Sequence, residues 1–201
     1  MKVTLLTSPA SFKDMENFAA LAALTCHANT EKPYVPHEVL GRIIKAGHES
    51  ILEHITLKYE VKGLSRACLQ ELARHRHISL SVESTRHTIR DNATKEFVDA
   101  NFPYKSGDFG LPYLKWVEAV HFVMFAKGHP DLTDDELKYF VPELWPTNLI
   151  LTSNIRELRH IITLRTAPAA LKEFRDLARN LFEAVPEKFR YLLADCVYKE
   201  D

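Results

Sequence analysis

The stretch "HITLKYEVKGLSRACLQELARHR", residues 54–76, changes its period halfway along. Up to Lys62, the apolar Ile55, Leu57, Tyr59 and Val61 alternate with the polar Thr56, Lys58, Glu60 and Lys62. Strict period two predicts a strand over 54–62 with one face buried and one face wet. Gly63 is expected to end it. Beyond it, Leu64, Cys68, Leu69 and Leu72 recur at helical spacing, and Ser65 offers a side-chain oxygen to cap a helix reaching about Arg74. The basic residues that follow then stand at a helix C-terminus, where cations suit the dipole.

On either side of this stretch, strand and helix signals remain separated. "VTLLTS" (3–8) and "TNLILTS" (147–153) read as strands far apart in the chain. Residues 12–27 read as a helix. So do 36–48, where Pro36 suits a first turn and Val39, Leu40, Ile43 and Ile44 form the stripe. Residues 99–111 read as a loop. Leu114, Val117, His121, Met124 and Phe125 mark a helix up to Gly128, with His121 as a hydrogen-bonded core histidine. "TDDE" (133–136) has the capping-box pattern, and Asn154 with Glu157 can cap a helix to about Arg165. Residues 169–185 carry a long apolar stripe, and a last helix follows Pro186. With no β-α-β rhythm and no glycine-rich phosphate loop, the expected fold is α+β. A central antiparallel or mixed sheet would be covered by helices in one domain, 1–201.

Composition narrows the function classes. The 201 residues are 46% hydrophobic and 26% charged, with a formal net charge of −1. That balance suits a globular protein with a sizeable core, and argues against a polybasic nucleic-acid coat or membrane anchor. No apolar run approaches the roughly 20 residues of a membrane span. Cys26, Cys68 and Cys196 lack CxxC spacing, so reduced core thiols and a cytoplasmic location are expected.

Against that neutral background, "ARHRHISLSVESTRH" (73–87) stands out, with three arginines, three histidines, four hydroxyl residues and Glu83 as its one acid. Arginine forks match phosphate oxygens, and hydroxyls can complete an anion site. A second cluster is "SNIRELRHIITLR" (153–165). There Arg165 continues the apolar stripe of Leu158, Ile161 and Ile162, and a guanidinium on a buried face needs a partner, either an internal carboxylate or a ligand. Arg156 and His160, four apart on another face, can grip a second anion. In "GHESILEH", His48 and His54 are six apart, which is not the spacing of a metal-binding helix pair, so no metal is expected. Ser84 lacks the context of an activated nucleophile. The residues alone reach a protein with two arginine-rich sites for phosphate-bearing small molecules.

The motif RHR, seven residues, then Ser84 resembles the signature of the flavin-dependent thymidylate synthases. "GHESILEHITLKYEVKGLSRACLQELARHR" and "TNLILTSNIRELRHIITLRTAPAALKEF" are similar to the family's flanking blocks in order and spacing. The resemblance implies methylation of dUMP to dTMP, with 5,10-methylenetetrahydrofolate as carbon donor, FAD as hydride carrier and NADPH as reductant. It implies a homotetramer with active sites at subunit interfaces, and neither nucleic acid nor membrane as partner. It places the flavin on Ser50, Arg74, His75, Arg76, Asn154, Ile155, Arg156 and His160, with His48 near flavin and folate. It places the nucleotide on Glu71, Leu72, Ala73 and Arg74, on Val82, Glu83, Ser84, Thr85 and Arg86, and on Lys138 and Arg165. Arg165 would be catalytic, stabilising an N3-ionised uracil, and Ser84 would position the substrate.

Several positions depart from the commoner family pattern. Ser81 and Val82 replace Asn and Glu or Gln, Glu71 replaces Gln, His160 replaces Asn, and Asp135 and Lys138 replace Glu and Arg. Two other readings stay open on the residues alone: a nucleic-acid-binding module using the ARHRH patch, and a catalytically silent nucleotide-binding relative. The neutral charge and the lack of a nucleic-acid motif weigh against the first.

Overall fold

A computed structural model describes residues 1–201 except 27, 29, 104–106, 108, 109, 200 and 201. In chain order the elements are β1 (Lys2–Leu5), α1 (Pro9–Thr25), α2 (Pro36–Lys45), β2 (Thr56–Ser65), α3 (Arg66–Leu72), β3 (Ile78–Val82), α4 (Thr85–Asn92), α5 (Lys95–Asn101), α6 (Leu111–Gly128), α7 (Asp134–Leu137), β4 (Pro146–Asn154), α8 (Ile155–Arg165) and α9 (Lys172–Glu183). Short 3-10 helices cover Glu49–His54, Lys138–Phe140, Glu187–Leu192 and Ala194–Cys196.

The strands form one antiparallel sheet in the order β1-β2-β4-β3. The register shows the direction. The Ile155 N–H donates to the Ile55 carbonyl at 2.8 Å, while the Gly63 N–H donates to Asn148 Oδ1 at 3.1 Å. Residue numbers rise along β2 as their partners' numbers fall along β4, as antiparallel pairing requires. The α+β expectation is met.

The chain divides into two compact units. The first holds Met1–Val61, Glu71–Ser81 and the chain from Ile150 on. Its buried residues include Phe12, Leu40, Leu52, Ile55, Leu57 and Tyr59, joined by Leu158, Ile161 and Ile162 from α8 and by Phe174, Leu177 and Leu181 from α9. Phe12 and Phe189 stack with ring centroids 4.0 Å apart. The second unit holds Lys62–Gln70 and Val82–Leu149. Its core gathers around Trp145, which stacks on Phe97 at 5.1 Å and meets the Phe122 edge at 4.9 Å.

Local signals set most element boundaries. Ser65 Oγ accepts from the Cys68 N–H at 3.1 Å. Thr133 and Glu136 form the full capping box, and Asn154 Oδ1 accepts from the Glu157 N–H at 2.9 Å. Four expectations need correction. Gly63 does not end the strand: its φ of +72° lets β2 bend and continue to Ser65. Residues 78–82 form edge strand β3 and 85–92 form α4, two elements to which no strand or helix was assigned from the sequence. The alternation of Ile78, Leu80 and Val82 is brief, and its pairing partner lies far along the chain. On α6 the buried face is Ala119, Phe122, Val123 and Ala126, and His121 is exposed. That helix is apolar on several sides, so periodicity selects no single face. Finally, α5 takes 99–101 from the expected loop, while 104–106, 108 and 109 of that loop lie outside the described residues.

Candidate active site

Helix α8 organises the first unit's chemistry. Glu157, Ile161 and Arg165 follow at i, i+4 and i+8, so they share one face, which packs inward. Glu157 and Arg165 are separated by about 12 Å along the axis. His75 fills that gap. Its Nδ1 lies 3.1 Å from Glu157 Oε1, and its Nε2 accepts from Arg165 Nε at 3.2 Å. An ionised carboxylate only accepts, so Nδ1 carries the proton and Nε2 presents a lone pair. The His75 side chain is 4% exposed. Burial lowers its pKa below 6.5; the Glu157 hydrogen bond opposes this and the Arg165 charge adds to it.

Arg165 is held on three sides. Besides His75, its Nη1 donates to Glu71 Oε2 at 2.9 Å, and its guanidinium lies 4.5 Å from the Phe174 ring centroid. Among the described residues Nη2 has no hydrogen-bond partner. The buried-face arginine therefore has an internal carboxylate and still presents one edge of its fork.

Two adjoining concavities surround this group. One, of about 670 Å³, is lined by Asn154, Arg156, Arg159, His160, Glu49 and Glu53 among others. The other, of about 360 Å³, is lined by Arg74, His75, Arg76, Leu164 and Arg165. His77, Glu157 and His160 line both. Their sizes suit cofactor clefts. Every carboxylate named in the larger wall has a basic partner: Glu53 holds Arg156 at 2.6 Å, Glu49 holds Arg159 at 2.9 Å and Glu157 holds His75. The Arg156–Glu53 pair is about half exposed on both sides, so an anion can displace Glu53 at small cost. With the N-terminus of α8 beside them, the arginines and histidines fit a flavin's phosphates.

The expected flavin residues thus converge, but unequally. Arg74, Arg76, Asn154, Arg156 and His160 line the concavities. Ile155 is fully buried. His48 and Ser50 are exposed where the 3-10 helix Glu49–His54 begins. Leu72 is buried, whereas Ala73 is exposed.

In the second unit, Glu83 accepts from the Asn148 and Asn92 side-chain amides, and its N–H donates to the Asn148 carbonyl at 2.8 Å. Ser84 is the N-cap of α4, yet its hydroxyl makes no cap hydrogen bond and stays exposed. Thr85 is buried and Val82 is on the surface. Arg86 is bidentate to Asp135, with Nη2 to Oδ2 at 2.8 Å. Lys138 is exposed three residues further along.

Sequence reasoning missed Glu157, read only as a helix-cap partner, and Arg159. Arg159 is 6% exposed and anchored by Glu49, by Asp195 at 2.6 Å and by the Leu192 carbonyl at 2.7 Å. Burial would lower its pKa, but the Asp195 and Glu49 hydrogen bonds outweigh it and the pKa is raised. The i, i+4, i+8 spacing of Glu157, Ile161 and Arg165 was the available signal that Glu157 faces inward with Arg165, and it carried no sign of the His75 contact. Among the described residues, no three His, Cys, Asp or Glu side chains are grouped to hold a metal ion, and no helix is long and apolar enough to cross a membrane.

Comparison with known proteins gives one consistent result. Residues 6–189 match the family model described as thymidylate synthase complementing protein. The flavin-dependent thymidylate synthase of Campylobacter jejuni strain RM1221 is 34% identical over an alignment 214 positions long, covering 100% of this chain and 99% of that protein. The one from Helicobacter pylori strain J99 is 38% identical over 170 residues, covering 79% of each. A crystal structure of thymidylate synthase X from Helicobacter pylori with FAD and dUMP superposes with a TM-score of 0.84 at 31% identity, covering 99% of this chain and 100% of that one.

Proposed function

The chain belongs to the flavin-dependent thymidylate synthases, and we propose how its residues divide the work of converting dUMP to dTMP. The observation that carries the assignment is the convergence of the RHR segment and both ends of α8 on two adjoining, arginine-lined concavities. FAD, when bound, supplies the hydride chemistry. We infer that 5,10-methylenetetrahydrofolate donates the carbon and that NADPH is the reductant.

Asn154, Ile155, Arg156 and His160 hold the flavin at the α8 N-terminus, together with Ser50, Arg74, His75 and Arg76. The two His75 nitrogens are already engaged, so His75 serves the flavin through its backbone or ring face. His48 lies toward flavin and folate. Arg165 presents its remaining fork edge to the uracil, where a partly desolvated cation stabilises the N3-ionised ring and makes C5 more nucleophilic. Glu71, Leu72, Ala73, Arg74, Val82, Glu83, Ser84, Thr85, Arg86 and Lys138 bind the nucleotide. Ser84 needs no base, because it positions and does not attack. In a homotetramer with active sites at subunit interfaces, these residues need not come from one chain. The arginine-rich segment serves small anionic ligands and not nucleic acid, and the three unbridged cysteines suit the cytoplasm.

The test is direct. Purified protein given FAD should take up the flavin's visible absorbance. It should then release the C5 hydrogen of dUMP when folate donor and NADPH are added. Protein that takes up no FAD would overturn the assignment, and flavin uptake without turnover would mark a silent relative.

A further inference from the structure

We propose that Glu157 is a positioning residue for Arg165, acting by fixing the tautomer of the His75 ring that lies between them. The inference rests on the reading of Arg165 as the uracil-stabilising cation. Glu157 touches neither Arg165 nor, in that reading, the substrate. Its effect passes through one imidazole.

The geometry leaves the ring little choice. Glu157 is 8% exposed, and its backbone N–H donates to the Asn154 cap. A carboxylate at 3.1 Å requires a proton on His75 Nδ1. A neutral ring then has a bare lone pair on Nε2, which receives the Arg165 Nε–H. The opposite tautomer would set two N–H groups against each other at 3.2 Å and release the guanidinium on that side. Phe174 closes the arrangement. It lies beneath Arg165 and meets the His75 ring edge to face at 5.9 Å. The groups facing His75 are Arg165, Glu157, His160 and Phe174. Only Glu157 among them is acidic. Orienting an imidazole through a carboxylate on its far nitrogen is a general device for fixing the role of the near one.

Glu157→Gln preserves shape but can either donate to or accept from Nδ1, so it no longer specifies the tautomer. Glu157→Asp keeps the acceptor. Nitrogen NMR of the wild-type ring, without ligands, should show His75 protonated at Nδ1. Glu157→Gln should mix the tautomers and lower kcat roughly 10- to 100-fold, the size of losses when an orienting partner is removed. KM for dUMP should change less than kcat. Glu157→Asp should restore the tautomer and most of the rate. A wild-type ring protonated at Nε2, or a Glu157→Gln protein within twofold of wild-type kcat, overturns the proposal. The wild-type tautomer decides even if the variant does not fold. Arg165→Ala separates the two ideas: if it turns over normally, the role of Arg165 falls while the tautomer result still stands.

Discussion

Arg165 and His75 come from segments ninety positions apart, yet the guanidinium Nε points its hydrogen at the imidazole Nε2 from 3.2 Å. A cation hydrogen-bonded to a neutral base, with a carboxylate on each far side, is aimed before any ligand arrives. Preorganised charge of this kind is worth more than charge that must reorient during reaction.

Arg165→Ala is therefore expected to abolish turnover while leaving flavin bound. Flavin absorbance of the purified variant and C5-hydrogen release from dUMP report the two quantities separately. Loss of one oriented charge or donor at a reacting centre typically lowers kcat on the order of 100- to 1,000-fold.

Lys138→Arg should tighten dUMP. Lysine keeps the positive charge of the commoner arginine but lacks its planar fork. Isothermal titration with dUMP should show a severalfold gain, and an unchanged affinity would remove Lys138 from the phosphate contact.

Arg159 and Arg156 should separate cleanly in stability. Arg159→Leu removes a buried guanidinium that holds the part-exposed Glu49, the half-exposed Asp195 and the Leu192 carbonyl, and a loss of about 1–2 kcal/mol is expected in urea unfolding. Arg156→Ala removes only the exposed Glu53 pair, so its loss should stay below about 1 kcal/mol.

Tyr59→Phe should stabilise the fold. Tyr59 is fully buried, and among the described residues its hydroxyl has no hydrogen-bond partner. Burial also raises its pKa. Removing an unsatisfied buried hydroxyl is expected to gain on the order of 1 kcal/mol, read as a higher urea midpoint at unchanged slope. A lower midpoint would show that the hydroxyl is satisfied.

Acidification should weaken the folded state through His75. Burial lowers its folded pKa below the ordinary 6.5, so between those two values the unfolded chain binds more protons. Stability is then full above about pH 6.5 and declines as pH falls through the lowered value. Urea midpoints taken from pH 7 down to 5 should fall more steeply for wild type than for His75→Gln.

Features that depend on neighbours along the chain were legible in its residues. Period two marked β2, the hydroxyl and amide caps at Ser65, Thr133 and Asn154 formed as read, and the RHR-to-serine spacing pointed to the family. The sequence also showed that Arg165 sits on an inward face and must be partnered. Other features depended on contacts between distant segments. Gly63 bends a strand where the local signal implied a stop, and β3 exists because β4 offers it an edge. The partners of Arg165 are Glu71, His75 and Phe174, which no spacing along α8 could reveal. Glu157 looked like a cap because its contact with His75 spans eighty-two positions. A hydrogen bond between distant residues leaves no periodic trace, and only packing brings donor and acceptor within 3 Å or so of each other.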